Sequence, residues 1–145
     1  MATIKSIIIR PERRATPIRI SEAKINSTGI EGDHYAKSDG TRQVTIIAED
    51  QLAEMTGIIG FQGDAHVACR RNILIESLPK ENLKGKYMAL GEDVIIEITG
   101  YCTPCHRMEE NFGNGAIDAF YQRAGWVARV ISEGSISTGD IVKFV

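Results

Sequence analysis

Short runs of valine and isoleucine recur along the chain and predict β-strands separated by polar turns. The densest run lies in 93–99, where Val94, Ile95, Ile96 and Ile98 are expected to be mostly buried. Similar patterns predict strands over 3–10, 16–20, 42–48, 71–76, 86–90, 126–132 and 140–145. Pro17 makes 16–20 an edge strand, because proline has no N–H to donate to a neighbouring strand.

Helical spacing of apolar residues is less frequent. It predicts short helices over 49–56, 108–112 and 116–123. In the first of these, Leu52 and Met55 share a face and Gly57 is expected to end the helix. The segment 21–28 is polar and has little periodicity, and 133–139 is predicted to join two strands. Seven or eight short strands with two or three short helices favour a mostly β fold, in which a mostly antiparallel sheet closes toward a barrel.

Composition limits the class of protein. The 145 residues are predicted to form one domain, 1–145, that is large enough for a sizeable core. The net charge of -2 gives no basic face for nucleic acid. We find neither a secretory signal nor an apolar run long enough for a membrane span, so the expected location is the cytoplasm. Three cysteines, an odd number, argue against a disulfide framework.

The most distinctive stretch is 101–106, Tyr-Cys-Thr-Pro-Cys-His, which we call the cysteine turn. It follows Gly100, which is expected to end the strand predicted over 93–99. The cysteine turn would therefore hold Cys102 and Cys105 rigidly at the end of a buried strand. Such a position suits a reactive sulfur, because the thiol is fixed in place and still faces a cleft.

Three interpretations of this turn use both of its thiols. A thioredoxin-like redox pair has the same C-x-P-C form, but that fold needs a later proline and Pro104 is the last one here. Covalent haem attachment uses C-x-x-C-H, a short pattern of exported proteins. Structural zinc needs four ligands, for which Cys69 and His66 would join Cys102 and Cys105.

A fourth interpretation assigns the chemistry to one thiolate, Cys105, with Cys102 in support. A nucleophilic or metal-binding thiolate needs a lowered pKa, which nearby cations or a helix N-terminus provide. His106 and Arg107 follow directly, and the predicted helix 108–112 begins next. Inert, buried cysteines are the structural alternative, but the neighbouring cations favour a functional role.

Paired arginines mark a second candidate region. Arg70, Arg71 and Asn72 stand at the entry to the strand predicted over 71–76, and Arg42 begins another strand. Exposed arginines at a strand edge are often only solvated. Their planar guanidinium groups also bind phosphate or carboxylate in a bidentate manner, so these residues are candidates for one positively charged rim.

The glycine-punctuated loop 29–34 is the third candidate region. Gly32 would let the backbone approach a ligand, and Asp33 and His34 would supply hydrogen-bonding groups. The structural alternative is a tight turn in which Asp33 caps a local N–H. The loop has neither the Walker pattern nor a dinucleotide-binding fingerprint.

Taken in order, these patches resemble the MOSC domain, the C-terminal domain type of molybdenum cofactor sulfurases that also occurs as small stand-alone bacterial proteins. The resemblance extends from about the first strand to the C-terminus. The matching segments are 29–34, 42–44, 70–74, 90–91, 104–105, 128–130 and 139–140. It implies a β-barrel-like fold of the MOSC or pyruvate-kinase-barrel type, as the strand pattern also predicts.

The resemblance also implies a chemistry and a cofactor, the molybdenum cofactor (molybdopterin). Cys105 fits the family's key position, where it would accept sulfur as a persulfide or coordinate molybdenum, and Cys102 resembles an accessory thiol. The pterin phosphate would be held by basic residues of a cleft. The implied cofactor-binding residues are Gly32, Asp33, His34, Arg42, Arg70, Arg71 and Asn72.

The leading hypothesis is therefore a sulfur-carrying or cofactor-binding MOSC protein. The alternatives are a non-catalytic module that delivers or shields molybdopterin and, less favoured, a structural zinc protein. Sulfurases also contain a pyridoxal-phosphate desulfurase domain, which we do not recognise in this sequence. A cysteine desulfurase or a molybdoenzyme is therefore the expected protein partner. We expect no nucleic-acid or membrane partner, and an edge strand would permit a homodimer.

Overall fold

The computed structural model of the protein describes residues 2–34, 40–104, 106–121 and 123–145. Its strands are β1 Ala2–Ile9, β2 Ile18–Ile20, β3 Glu22–Asn26, β4 Gly29–Ile30, β5 Val44–Ala48, β6 Ile73–Ile75, β7 Tyr87–Leu90, β8 Val94–Tyr101, β9 Trp126–Ser132, β10 Gly134–Ser137 and β11 Ile141–Phe144. Its helices are α1 Glu49–Ile59, α2 Ala65–Cys69, α3 His106–Phe112 and α4 Ala116–Ala119. The predicted mostly β architecture is confirmed. None of the helices in the described part of the chain is long and apolar enough to cross a membrane.

Seven strands close into a barrel in the order β11-β7-β8-β9-β5-β6-β1, and β1 pairs back onto β11. The first strand permits this closure because Ala2 and Thr3 pair with β11, whereas 7–9 pair with β2. All neighbouring pairs in the barrel are antiparallel except β5 and β6. A parallel pair requires a long crossover, which α1 and α2 provide. That crossover delivers the end of α2 to the start of β6.

Both faces of the parallel pair are covered, which explains its uninterrupted apolar sequence. Ile46 of β5 and Ile73 of β6 belong to the core inside the barrel. Ile47 and Leu74, which alternate with them, belong to a second core beneath the helices. Because successive side chains of a strand point to opposite faces, each strand contributes to both cores.

The second core holds the helices against the barrel. Phe112 of α3 lies 4.7 Å from Phe61 and 5.1 Å from Phe120, measured between ring centroids. Such aromatic pairs contribute about 0.5–1.5 kcal/mol each beyond the burial of their area. This packing fixes α3, the helix that directly follows the cysteine turn.

Two polar segments for which the sequence pattern predicts no strand contain strands. β3 and β10 lie in 21–28 and 133–139, and they pair antiparallel with Ile136 opposite Ala23. Both of these residues are buried. The strand pairing joins segments far apart in the chain, so the short polar runs carry little local signal of it.

The strand before the cysteine turn is longer than predicted. β8 continues through Gly100 to Tyr101, so the expectation that Gly100 ends the strand is wrong. The register of β8 against β9 shifts between Ile98 and Gly100. Glycine fits such an irregularity because it has no side chain to pack.

The helix boundaries also differ from prediction. α1 passes through Gly57 and ends at Ile59. Gly60 caps it in a left-handed conformation, with φ of 72°, and donates its N–H to the carbonyl of Thr56. The helix continues because Ile59 packs against the second core, which outweighs the roughly 1 kcal/mol that an internal glycine costs. α4 is shorter than the predicted helix 116–123.

The short helix α2 is not predicted by the sequence pattern. Its first turn is capped by the Asp64 side chain, which accepts a hydrogen bond from the Val67 N–H. Cys69 therefore ends a helix instead of entering a strand. Arg70 follows as the left-handed cap, with φ of 60°. This sharp reversal aims the two arginines toward a cavity.

Candidate functional site

Six arginines converge on one cavity of about 190 Å³, which we call the arginine cavity. Its lining consists of Arg10, Arg13, Arg14, His34, Ala68, Cys69, Arg70, Arg71, Arg107 and Met108. No acidic side chain is among these described lining residues. In a protein with a net charge of -2, this concentration of one sign creates a local field that attracts anions.

A buried ion pair supports the floor of the arginine cavity. Asp33 accepts hydrogen bonds from Arg10 Nε at 3.0 Å and Nη2 at 2.8 Å, and also from the Arg10 backbone N–H at 2.7 Å. The two side chains are only 6% and 0% exposed. Such a pair is rigid, because any rearrangement would leave a charge buried without its partner.

Asn72 connects this ion pair to the barrel. Its Nδ2 donates to Asp33 and to the carbonyl of Ile8, and its Oδ1 accepts from Arg10 and from the Thr45 hydroxyl. Strands β1, β5 and the entry to β6 are thereby joined through one amide. Asp33 and Asn72 thus hold the arginine cavity in place from beneath.

Arg70 and Arg71 bind neighbouring carbonyl groups. Arg70 donates from Nη1 to the carbonyl of Ala15, and its own carbonyl accepts from Arg10 Nη1 at 3.1 Å. Arg71 is buried and donates from Nε to the carbonyl of Ala124 at 2.7 Å. These contacts tie three separate segments of the chain around the cavity.

Two arginines at the cavity adopt an unusual backbone conformation. Arg14, with φ of 67°, and Arg70, with φ of 60°, are the non-glycine residues with positive φ in the described part of the chain. This conformation costs about 1–2 kcal/mol for a residue with a side chain. Strain of this kind is concentrated at functional sites, which supports a functional role for the cavity.

Arg107 reaches the cavity from α3. It bonds to Glu110 at 3.1 Å, one turn further along the helix, and to the carbonyl of Arg14 at 3.1 Å. Arg13 and Arg14 are exposed, and their side chains bond to no other residue that the structure describes. Their N–H donors therefore face the solvent-accessible side of the cavity.

The thiols of the described residues are poorly suited to react. Burial raises the pKa of Cys69, at the cavity wall, to about 11, and its Sγ donates to the carbonyl of His66 at 3.1 Å. Cys102 is buried as well. Cys105, the predicted catalytic and metal-binding residue, lies outside the described residues. Its neighbours in the chain include Arg107 and Thr103, whose carbonyl lies 3.5 Å from Arg71 Nη2.

His66 plays a structural part. Its Nε2 lies 2.7 Å from the carbonyl of Arg71, which can only accept a hydrogen bond, so this nitrogen carries the proton. Its Nδ1 is buried and has no hydrogen-bond partner in the described structure. Burial lowers the pKa of His66 to about 4, so the ring is neutral at pH 7. Among the described residues, no group of three or more His, Cys, Asp or Glu side chains is arranged to bind a metal ion.

The structure brings together some of the predicted site residues but not all of them. His34, Arg70 and Arg71 line the arginine cavity. Gly32 has φ of 91°, a backbone conformation that favours glycine, and an added Cβ would lie 3.2 Å from Ile9 Cδ1; its role beside a ligand stays a prediction. Arg42 is exposed and is not among the residues that line the cavity.

Four cavity arginines were not predicted as site residues. Arg10 ends the strand predicted over 3–10, and Arg13 and Arg14 look like part of a charged turn after it. Arg107 looks like a support for the nearby thiol of Cys105. One signal was available, since 10–14 contains three arginines within five residues. That density alone does not distinguish a solvated turn from a binding site.

A different concavity, of about 440 Å³, lies beside Gly125. Tyr101 and Trp126 stack in its wall with their ring centroids 4.1 Å apart. Its charges are mixed, because Glu54 and Glu81 accompany Lys80 and Arg123. The arginine cavity is therefore the site with the clearer chemical preference.

Comparison with protein families identifies the family of the chain. A family model described as the MOSC domain matches residues 30–143. The chain belongs to the MOSC domain family. The match includes α2, Arg70, Arg71 and the cysteine turn, and it begins after the segment 10–14. No curated protein matches the chain at a significant level.

Solved structures show the same fold at low sequence identity. The YuaD protein from Bacillus subtilis is 16% identical, with a TM-score of 0.84 over 98% of this chain and 94% of that one. YiiM from Escherichia coli is 17% identical, with a TM-score of 0.73 over 99% and 69% of the two chains. YiiM from Geobacillus stearothermophilus is 14% identical, with a TM-score of 0.77 over 100% and 75%. At these identities the likeness concerns the fold alone.

Proposed function

We propose that the arginine cavity of this MOSC domain binds the phosphate-bearing end of the molybdenum cofactor, and that Cys105 carries sulfur to it or coordinates its metal. The observation that carries the proposal is the presence of six arginines in the lining of a small cavity, with no acidic side chain among its described lining residues. Guanidinium groups bind phosphate oxygens with charge-assisted, often bidentate hydrogen bonds. A single-sign cavity of this size favours a compact anion.

The residues of the cavity would divide this work between them. Arg13 and Arg14 lie at the exposed side and would meet the phosphate first. Arg71 is buried and held by a backbone carbonyl, so it would contribute a fixed positive charge. The Arg10–Asp33 pair is internally balanced and would keep the floor rigid.

The sulfur step would begin with a persulfide on a partner cysteine desulfurase. The Cys105 thiolate would attack the terminal sulfur of that persulfide. A new S–S bond would form on Cys105 as the donor S–S bond breaks, and the electron pair would leave with the donor thiolate. When bound, the metal of the cofactor would be the acceptor of that sulfur.

The alternative function is delivery or shielding of molybdopterin without chemistry. One observation favours it, namely that both described thiols are buried and that the pKa of Cys69 is raised. Anion binding by the arginines is then the whole activity. The two functions share the arginine cavity and differ only in the need for Cys105.

Binding is tested by comparing arginines inside and outside the cavity. The Arg13→Gln/Arg14→Gln variant should retain about tenfold less molybdopterin after co-expression with a cofactor-synthesising host, measured by fluorescence of the oxidised pterin. Tenfold corresponds to about 1.4 kcal/mol, close to the lower end of the roughly 1.5–3 kcal/mol that a hydrogen bond to a charged group contributes. Arg42→Gln is the matched control, because Arg42 is exposed and lies outside the cavity lining. Equal retention by both variants would refute binding at this cavity.

Sulfur transfer is tested at Cys105. After incubation with a cysteine desulfurase and free cysteine, a persulfide-specific probe should label the native protein and should fail to label Cys105→Ser. Cys102→Ser is the control and should still be labelled. If Cys105→Ser keeps its label, Cys105 is not the sulfur carrier and the delivery function is favoured.

A further inference from the structure

The arginine cavity adjoins a second space and shares lining residues with it. A groove of about 470 Å³ adjoins it, and the two share Arg14, Ala68, Arg70 and Arg107 as lining residues. Three of the six cavity arginines therefore face both spaces. The arginine cavity alone, at about 190 Å³, is smaller than the roughly 300–1,000 Å³ of typical small-molecule sites. The adjoining groove supplies the missing space.

Hydrogen bonds hold the boundary between the arginine cavity and the groove in place. The side chains of Arg70 and Arg107 both bind the segment 14–15, through the carbonyls of Ala15 and Arg14. This holds Arg14 in its left-handed conformation at the junction of the two spaces. Asn111 lines the groove and fixes α3 to α2 by donating to the carbonyl of Ala68 at 2.9 Å.

The charge of the groove remains favourable for an anion. Asp64 is the acidic residue among its described lining residues, and Arg19 binds it in a bidentate manner at 2.9 and 3.1 Å. These hydrogen bonds from Arg19 lower the pKa of Asp64, so the pair is fully charged and balanced at pH 7. Arg107 is also paired with Glu110 at 3.1 Å, so Arg14 and Arg70 set the net positive sign of the groove.

We infer that the site takes a ligand with two linked phosphoryl groups, one in the arginine cavity and the second in the groove across Arg14 and Arg107. A single phosphate uses only half of this arrangement. A diphosphate ester places its second charge against the shared guanidinium groups and extends its remaining part along Thr16 and Asn111. This inference rests on the proposed phosphate-binding function and narrows the class of ligand.

The test uses inorganic pyrophosphate and orthophosphate as probes in isothermal titration calorimetry at low ionic strength, where screening is weak. The unsubstituted protein should bind pyrophosphate at least about tenfold more tightly than orthophosphate, which corresponds to about 1.4 kcal/mol. Higher charge alone would also favour pyrophosphate, so a variant must locate the second phosphoryl group.

Thr16→Glu tests whether the second phosphoryl group lies in the groove, because it adds a negative charge there. Thr16 is exposed and lines the groove but not the arginine cavity. The variant should lower the preference for pyrophosphate at least about fivefold, and orthophosphate affinity should stay within about twofold. Thr138→Glu makes the same change at an exposed position outside both linings and should leave both affinities unchanged.

The outcomes separate this inference from the function on which it rests. Orthophosphate binding without a preference for pyrophosphate, or a preference that Thr16→Glu leaves intact, overturns the two-phosphoryl inference alone. Absence of binding by either anion to the unsubstituted protein overturns the proposed phosphate site as well. Circular dichroism of each variant verifies the fold, and the exposure of both threonines makes unfolding unexpected.

Discussion

The buried Arg10–Asp33 pair offers a sharp test of how the arginine cavity is supported. Asp33→Asn keeps the size of the side chain but removes its charge and one of its two acceptor oxygens. The carboxylate accepts four described hydrogen bonds, three from Arg10 and one from Asn72. The substitution would leave the Arg10 guanidinium buried without a counter-charge.

The size of the expected loss in the free energy of unfolding follows from the burial of the Arg10–Asp33 pair. Breaking a buried ion pair by removing one partner costs about 3–5 kcal/mol. The entropy of unfolding is about 2.1 cal/mol/K per residue, or about 0.3 kcal/mol/K for 145 residues, so this loss lowers the melting temperature by about 10–16 °C. Urea denaturation followed by tryptophan fluorescence measures the free energy directly, and the slope with urea should be unchanged.

The chain contains its own control in the Arg19–Asp64 pair. That pair is also bidentate, but each side chain is 48% exposed. Asp64→Asn should cost no more than about 1 kcal/mol, as for other exposed pairs. Asparagine also preserves the helix cap that Asp64 provides to α2. If Asp33→Asn and Asp64→Asn lose the same free energy of unfolding, the reasoning from burial is refuted.

Three further predictions follow from other contacts of the structure. Burial lowers the pKa of His66 from 6.5 to about 4, so only the unfolded chain gains a proton there as pH falls from 6.5 toward 4, and the folded state loses stability. His66→Gln removes this loss, so by pH 4.5 it should keep about 2.5 kcal/mol more of its neutral-pH stability than the unsubstituted protein. Parallel stability profiles of the two proteins against pH, measured by urea denaturation, would contradict this. Gly125 has φ of 88°, and an added Cβ would lie against the carbonyl of Ile46, so Gly125→Ala should lower the free energy of unfolding by several kcal/mol. Gly139 has φ of 94° but open space around it, so Gly139→Ala should lower it by only about 1–2 kcal/mol. Equal losses would argue against the close approach at Gly125. Burial raises the pKa of Cys69 from 9.0 to about 11, which leaves about a hundredfold less thiolate at pH 8. Iodoacetamide should therefore label Cys69 about a hundredfold more slowly than a peptide thiol, as followed by mass spectrometry over time. Labelling at the rate of the peptide thiol would refute the raised pKa.

Much of the barrel was predictable because its strands carry a strong local signal. The run over 126–132 coincides with β9, and the runs over 42–48 and 93–99 contain most of β5 and β8. β5 is buried throughout and β8 and β9 are buried in part, so branched aliphatic residues are frequent in these strands. The five-residue helix α2 and strand β10 were not predicted, because their stability comes from a cap and from a distant strand and not from hydrophobic period.

The candidate site was predictable only in part. Arg70 and Arg71 stand out as a pair in the sequence, and the structure does place both at the cavity. Asp33, predicted as a cofactor-binding residue, lies beneath the cavity as the partner of Arg10, a contact that spans 23 positions of the chain. The role of Cys105 remains a prediction from its sequence context and family pattern.

The fold class and the family could be predicted from the residues alone, because both depend on local features: the periods of apolar residues, the turns and the order of short motifs. Which charged groups lie together could be seen only in the folded chain. Closure of the barrel brings the segment after β1, the cap of α2 and the start of α3 to one place. The physical reason is that an electrostatic site depends on distances through space, and a closed barrel makes those distances independent of separation along the chain.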